Sequence, residues 1–288
     1  MPSPEEALQA IRDMRSPLLQ FYVGPSAICP TDDPVDRFSR QQVTGVAALV
    51  EKHNAGLHTH AYAGQIAAAH AIASEVLGPH ACLAHCAGIS MEEIEILART
   101  GASGSFGPLT HAYVKARFPL IEALEAGVNA VFSTDGSAPD RSFDLIDQAR
   151  VGMQLQRVHF NDDRLLPAGK APGMITIDAA RALGMQDKIG SIEVGKQADV
   201  IVVDWHQTHL APRILAPLRL VGHASGQDVR TVIVDGQVRM RDRTVPGVDE
   251  AAIMDAATDA LMATWERSGL GDIHFQHPDI WRGIRYSG

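Results

Sequence analysis

The chain has 288 residues, 45% of them hydrophobic, so it can bury a substantial core and is too long for one small domain. Its formal net charge is −9 without any lysine or arginine block. Nucleic acid is therefore excluded as an expected partner, because phosphate binding needs a concentrated basic face. Three cysteines do not make a disulfide framework at this length, which favours a reducing cytoplasm. The polar N-terminus and the lack of any long apolar run predict neither a signal peptide nor a membrane partner.

The first two thirds of the chain alternate short apolar runs with amphipathic stretches. The predicted strands are LLQFYVGPS, GLHTHAY, ACLAHC and NAVFSTDG, with a short apolar run, ASGSFGP, before the last. Such alternation implies parallel strands joined by helical crossovers, as in a (β/α)8 barrel or a doubly wound open sheet. The pattern alone leaves both folds open. We count about five strand–helix units, whereas a complete barrel takes eight.

The character of the sequence changes after Gly184. The segments IGSIEVGKQADVIVVDW and VRTVIVDGQVRMRDRTV are β-rich, with turn signals at Gly195 and at Asp235-Gly236. A last helix is predicted from Asp249 to Ser268, followed by an irregular tail. These boundaries predict a barrel portion over residues 1–188, a small β-sandwich portion over 189–248, and a C-terminal helix and tail over 249–288.

Polar residues stand at the ends of three predicted strands. In GLHTHAY, His58 and His60 share one face because side chains alternate along a strand. His85 closes the strand LAHC, and Asp135 closes VFSTD. Parallel strands that end on such side chains build the active face of a barrel. The pattern indicates a metal-dependent hydrolase.

Taken together, these segments resemble the amidohydrolase superfamily, in its aminohydrolase and deaminase branch, which includes chlorohydrolases and methylthioadenosine/S-adenosylhomocysteine deaminases. LHTHAY is similar to the fifth barrel strand, LAHCAGISMEEIEILARTGAS to the sixth with its helix, and EALEAGVNAVFSTDGS to the approach to the eighth. The most specific segment, ITIDAARALGMQDKIGSIEVGKQADVIVVD, resembles the transition from barrel to composite β-sandwich. The resemblance implies a partial (β/α)8 barrel, of about the last five units, plus part of that sandwich.

The resemblance also implies a site. The family binds one divalent metal, most often zinc and otherwise iron, through an HxH on the first strand, a His on the fifth and an Asp on the eighth. Carried over by position, His60 and Asp135 match metal ligands, Asp135 also serves as proton acceptor, and His85 matches the sixth-strand His that positions and polarises the substrate. The implied activity is metal-dependent hydrolysis of a non-peptide C–N bond in a small cyclic or amide substrate.

Two features depart from the family pattern. His60 lies only 25 residues before His85, as adjacent strands require, so HTH is not the first-strand HxH, and the chain is expected to begin mid-barrel. Ala63 stands where these deaminases usually carry a Glu three residues after the fifth-strand His. The alternatives are therefore a truncated or degenerate relative without independent catalysis, or a binding module that kept the fold. We expect a small-molecule partner and leave open a homo-oligomer.

The remaining polar residues have structural interpretations. We expect His58 one layer deeper than His60, His111 in a solvated loop with a lesser chance of substrate contact, and both Cys82 and Cys86 as buried strand residues rather than metal ligands. Ser90 with Glu93 predicts a helix capping box. Turn or N-cap roles are expected for Asp140 and Asp144, and docking of the C-terminus for His274, His277 and Trp281.

Overall fold

A computed structural model describes residues 20–29, 38–113, 116–136 and 142–269, together with the isolated positions 6, 9, 10 and 13. The predictions for Asp140, His274, His277 and Trp281, and most of the predicted N-terminal helix, lie outside the described residues. Contacts divide the chain into two compact units, residues 1–243 and 244–288.

The first unit contains a sheet of five parallel strands in sequential order. They are β1 (Tyr22–Val23), β2 (Gly56–Tyr62), β3 (Ala81–Ala87), β4 (Ser103–Phe106) and β5 (Ala130–Phe132). A doubly wound sheet reverses its strand order at a switch point, whereas a barrel keeps it sequential. The order therefore favours part of a barrel over the open sheet.

Helices connect the strands, as the predicted crossovers require. They are α1 (Arg40–His53), α2 (Gln65–Ile72), α3 (Met91–Thr100), α4 (Pro108–Tyr113), α5 (Leu120–Glu125), α6 (Leu145–Phe160), α7 (Lys170–Met174) and α8 (Ile177–Ala182). Helices α7 and α8 are separate, because α7 ends at Met174 and Thr176 turns out of helical geometry before α8 begins. The Thr176 hydroxyl donates to the carbonyl of Pro172, 2.7 Å away, and closes that turn.

Local signals explain where the best-defined helices begin and end. Ser90 and Glu93 form the predicted capping box of α3, and Asp144 caps α6 through the amides of Ile146 and Asp147. Helix α3 ends at Gly101, whose φ of 79° is the left-handed conformation that glycine adopts without steric cost. Both predicted caps are confirmed.

The two faces of the sheet have different partners. Leu57, Thr59, Ala61, Leu83 and Phe106 are buried on the face that packs against the helices. Residues paired across parallel strands share a face. The opposite face, called the inner face below, therefore carries His58, which pairs with Cys82, and His60, which pairs with Ala84. Helix α8 packs against this inner face, since its residue Ala182 forms a small buried cluster with Cys82 and Val131.

A second, antiparallel sheet follows, as the β-rich composition predicted. Its strands are β6 (Val200–Val203), β7 (Val229–Val234) and β8 (Gln237–Arg241), with Asp235-Gly236 forming the tight turn between β7 and β8. Helix α9 (Ala216–His223) lies between β6 and β7 and was not predicted. The proposed boundary at residue 188 remains a prediction.

The second unit, described up to residue 269, contains helix α10 (Glu250–Ser268). The predicted last helix is confirmed, with Asp249 as its N-cap and Gly269 at its end. None of the helices in the described part of the chain is both long enough and apolar enough to cross a membrane.

Candidate active site

Strand β2 carries His60 on the inner face of the sheet. Burial alternates along the strand as predicted, so His58 and His60 are exposed and Thr59 is buried. His60 Nδ1 lies 2.9 Å from the carbonyl oxygen of Ser26. Because a carbonyl only accepts, Nδ1 carries the proton, and Nε2 of the neutral ring keeps its lone pair. Metal-binding histidines commonly have such a carbonyl partner.

His58 occupies the same face one layer closer to the start of the strand, paired with Cys82. Although the residue as a whole is open to solvent, desolvation by the protein atoms around its ring lowers its pKa, and the neighbouring His60 lowers it further. A backbone hydrogen bond at Cys82 acts in the opposite direction. The ring is therefore held mostly neutral near pH 7.

Strand β3 brings His85 to the same place by an irregular path. His85 pairs with Ala61 of β2, and Ala87 pairs with the next residue, Tyr62. Cys86 therefore has no partner in β2 and forms a β-bulge. Both His85 (φ 71°) and Cys86 (φ 48°) have left-handed backbone conformations. His85 is 4% exposed, and its ring stacks on that of His60, with ring centroids 5.2 Å apart and 5° between the planes. The ring of Tyr62 stacks nearby, 5.5 Å from that of His85.

Asp135 follows β5 and is partly buried, with a φ of 61°. Its Oδ2 accepts a hydrogen bond from the Thr110 hydroxyl at 2.8 Å, and its Oδ1 accepts from the Gly136 amide at 2.7 Å. The buried Thr110 lies on α4, next to His111. Asp135 is thus fixed at the end of its strand and connected to the helix that follows β4.

The solvated loop expected for His111 is wrong, because His111 lies in α4 and is 8% exposed. Its Nδ1 donates to the carbonyl of Ala116 at 2.8 Å, and its ring centroid is 5.7 Å from that of His85. The Phe106 ring contacts the His111 ring edge to face. The sequence offered only its position after SFGPLT, which did not distinguish a buried ring from a loop.

Glu93 holds the turn between β2 and α2. This carboxylate is 1% exposed and accepts four backbone N–H groups, from Gly64, Ile66, Ala67 and Ser90. Only the contact with Ser90 belongs to the capping box that the sequence predicted. The long-range contacts fix the turn that contains Ala63, whose exposed methyl group cannot transfer protons.

The described residues alone do not complete a metal centre. Within residues 20–29, 38–113, 116–136 and 142–269, no three or more His, Cys, Asp and Glu side chains are grouped so that they could hold a metal ion. Catalytic zinc usually has three protein ligands and a water. Burial raises the pKa of the Cys82 thiol to about 11 and raises that of the Cys86 thiol strongly, so without a metal both keep their protons near neutral pH.

Comparison with known protein families matches residues 19–239 to the amidohydrolase family. The chain belongs to the amidohydrolase family. The predicted resemblance is therefore confirmed, and amidohydrolase relatives named as deaminases agree with the predicted branch.

Two such relatives illustrate the similarity. A 5-methylthioadenosine/S-adenosylhomocysteine deaminase of Desulforudis audaxviator is 39% identical over 175 residues, covering 60% of this chain and 41% of the relative. A 5'-deoxyadenosine deaminase of Methanosarcina barkeri is 37% identical over 185 residues, covering 64% and 42%. This amidohydrolase chain thus spans about two fifths of the length of these relatives.

Solved structures of other enzymes share the fold. An adenosine deaminase from Xanthomonas campestris with bound zinc superposes with a TM-score of 0.78 at 24% identity, covering 88% of this chain and 60% of the other. An atrazine chlorohydrolase from Arthrobacter aurescens, also complexed with zinc, superposes with a TM-score of 0.75 at 21% identity. The match covers 88% of this chain and 58% of the chlorohydrolase. The partial barrel expected from the sequence is confirmed.

Proposed function

We propose that this chain supplies the His60, His85 and Asp135 side of an active site that hydrolyses a C–N bond, other than a peptide bond, in a small cyclic or amide compound. The observation that carries the proposal is the parallel stack of His60 on His85 at the carboxyl ends of neighbouring strands. Membership of the amidohydrolase family supports the reaction class.

His85 is the proposed substrate-positioning group. Its ring contacts those of His60 and His111, and the residue is buried, so it has a fixed orientation and little access to bulk water. A fixed dipole or proton donor in such a place stabilises charge that develops on a carbonyl-like centre. Asp135, held by Thr110 and Gly136, is the proposed proton acceptor.

A divalent metal belongs to the proposal only in part. His60, with its Nε2 lone pair, and Asp135 suit two ligand positions, and zinc is the first candidate because the similar deaminase and chlorohydrolase structures contain it. The described residues do not supply the third ligand, so we derive no catalytic step through a metal. Any metal-dependent activity requires ligands beyond those described.

Substrates are proposed from the relatives. Deaminases of 5'-deoxyadenosine and of methylthioadenosine are among the similar proteins, so adenine nucleosides are the first compounds to test. Ala63 weighs against deamination in its usual form, because a methyl group replaces a proton-transferring carboxylate. Cyclic amides are the second class to test.

The second candidate is a chain without independent catalysis, either a truncated or degenerate relative or a binding module that kept the fold. The incomplete set of metal donors among the described residues favours it. We propose that it acts in the cytoplasm, as the reduced cysteines suggest.

Metal content and ammonia release test the proposal together. The purified chain is incubated with zinc, exchanged into metal-free buffer and analysed for zinc, and ammonia is measured with adenosine and 5'-deoxyadenosine. We expect the unsubstituted chain to retain zinc and the His60→Ala variant to lose it. The control variant His70→Ala, with its substitution in helix α2, should retain zinc. Less than a tenth of an equivalent of zinc, unchanged by His60→Ala, would exclude the metal-dependent function for this chain.

A further inference from the structure

A cavity of about 300 Å³ lies between the end of β4 and the C-terminal part of α6. Its walls include the fully buried rings of Phe106 and Phe118 and the side chain of Leu155. We propose that this cavity binds a small, flat, uncharged heteroaromatic compound that carries a ring N–H donor. A volume at the lower end of the range for ligand sites fits one ring or a fused pair better than a whole nucleoside.

The specific polar group is the amide of Gln156, which lines the cavity and is 2% exposed. Its Oε1 is buried and accepts no hydrogen bond in the structure. Native proteins pair nearly all such buried acceptors, because an unpaired one has lost its water without gaining a partner. The oxygen has almost no accessible surface, so the amide must turn toward the cavity before a ligand's N–H group can reach and satisfy it.

The charge at the rim favours an uncharged ligand. Arg117 borders the cavity, but its Nη2 contacts both carboxylate oxygens of Glu122 at 2.6 Å, and its guanidinium carbon lies 5.1 Å from the centroid of the Phe160 ring. The cation is therefore already balanced and would gain little from an anion.

His111 forms the wall between this cavity and the candidate active site, because it lines the cavity and its ring lies 5.7 Å from that of His85. A ligand in the cavity should therefore shift the NMR signals of His111. This readout needs no metal and no catalysis, so the proposal stands or falls separately from the proposed hydrolase function.

Indole and benzofuran provide a matched pair of probes, since they share shape and area but only indole has the N–H. Titration of the full chain by calorimetry should show indole binding with Kd on the order of 0.1–1 mM. Indole should bind about tenfold more tightly than benzofuran, the value of one satisfied buried hydrogen bond. Equal affinities for the two probes, or no saturable binding of indole, would overturn the proposal.

Variants place the binding within this cavity. Gln156→Leu should remove the preference for indole while benzofuran binding stays or improves, whereas Gln154→Leu, at an exposed position of the same helix, should keep the preference. Val158 is 81% exposed at the cavity, so Val158→Trp can fill the open side without disturbing the core and should weaken both probes at least about tenfold. Unchanged indole binding in both Gln156→Leu and Val158→Trp contradicts the site.

Discussion

The rings of His60 and His85 lie parallel with 5.2 Å between their centroids, although regular strand geometry would put them on opposite faces of the sheet. His85 pairs with Ala61, which is fully buried on the helix-packing face. The left-handed residues His85 and Cys86 form a bulge that turns the imidazole to the inner face. The stack therefore depends on backbone strain as well as on side-chain identity.

This strain predicts an unusual order of stability at position 85. Asparagine tolerates φ near +71° and valine does not, although valine normally favours a buried strand. We expect His85→Val to lower the free energy of unfolding by about 1–2 kcal/mol more than His85→Asn. Urea denaturation measures the difference. A more stable valine variant would show that the bulge is absent in solution.

The Glu93 carboxylate predicts a large effect of a nearly isosteric change. In Glu93→Gln an N–H₂ group replaces one of two oxygens that each accept backbone amides, so two donors lose their acceptor. We expect a loss of about 2–4 kcal/mol in the free energy of unfolding. Glu92→Gln, at the exposed neighbouring position, is the control and should change it by less than about 0.5 kcal/mol. Similar effects of the two substitutions would contradict the long-range role of Glu93.

How far the sequence predicts these features depends on the distance over which each arises. The cap at Ser90 and the alternation around His60 are local, so the sequence shows them directly. The bulge at His85 and the burial of His111 arise from contacts with distant segments, which no local pattern contains. The position of His60 against Ser26 also joins residues that are remote in the chain.

Two helical glycines predict opposite effects of alanine. Gly45, in α1, is exposed, and a Cβ there would meet nothing within 4 Å, so Gly45→Ala should raise the free energy of unfolding by about 0.5–1 kcal/mol. A Cβ on Gly152, in α6, would overlap the ring of Phe132 and approach Pro108 Cγ at 3.0 Å. Gly152→Ala should therefore lower the free energy of unfolding by about 1–3 kcal/mol. Thermal and urea unfolding of the two variants measure these changes. If both substitutions changed the free energy of unfolding in the same direction, the close packing of Gly152 against Phe132 would be refuted.

The buried thiol of Cys82 predicts a loss of stability in alkali. Burial raises its pKa from 9.0 to about 11, so between these values the unfolded chain releases a proton that the folded chain keeps. Its contribution to stability is present below pH 9 and is lost as the pH rises through 11. Between pH 8 and pH 10.5 this group alone should remove about 2 kcal/mol from the free energy of unfolding. Urea denaturation under reducing conditions measures the decrease in the free energy of unfolding between these two pH values. In Cys82→Ala this decrease should be smaller by about 2 kcal/mol. The cavity that alanine leaves does not affect the comparison, because it costs the same at both pH values. An identical loss in both proteins would mean that Cys82 ionises as readily in the folded chain as in the unfolded one.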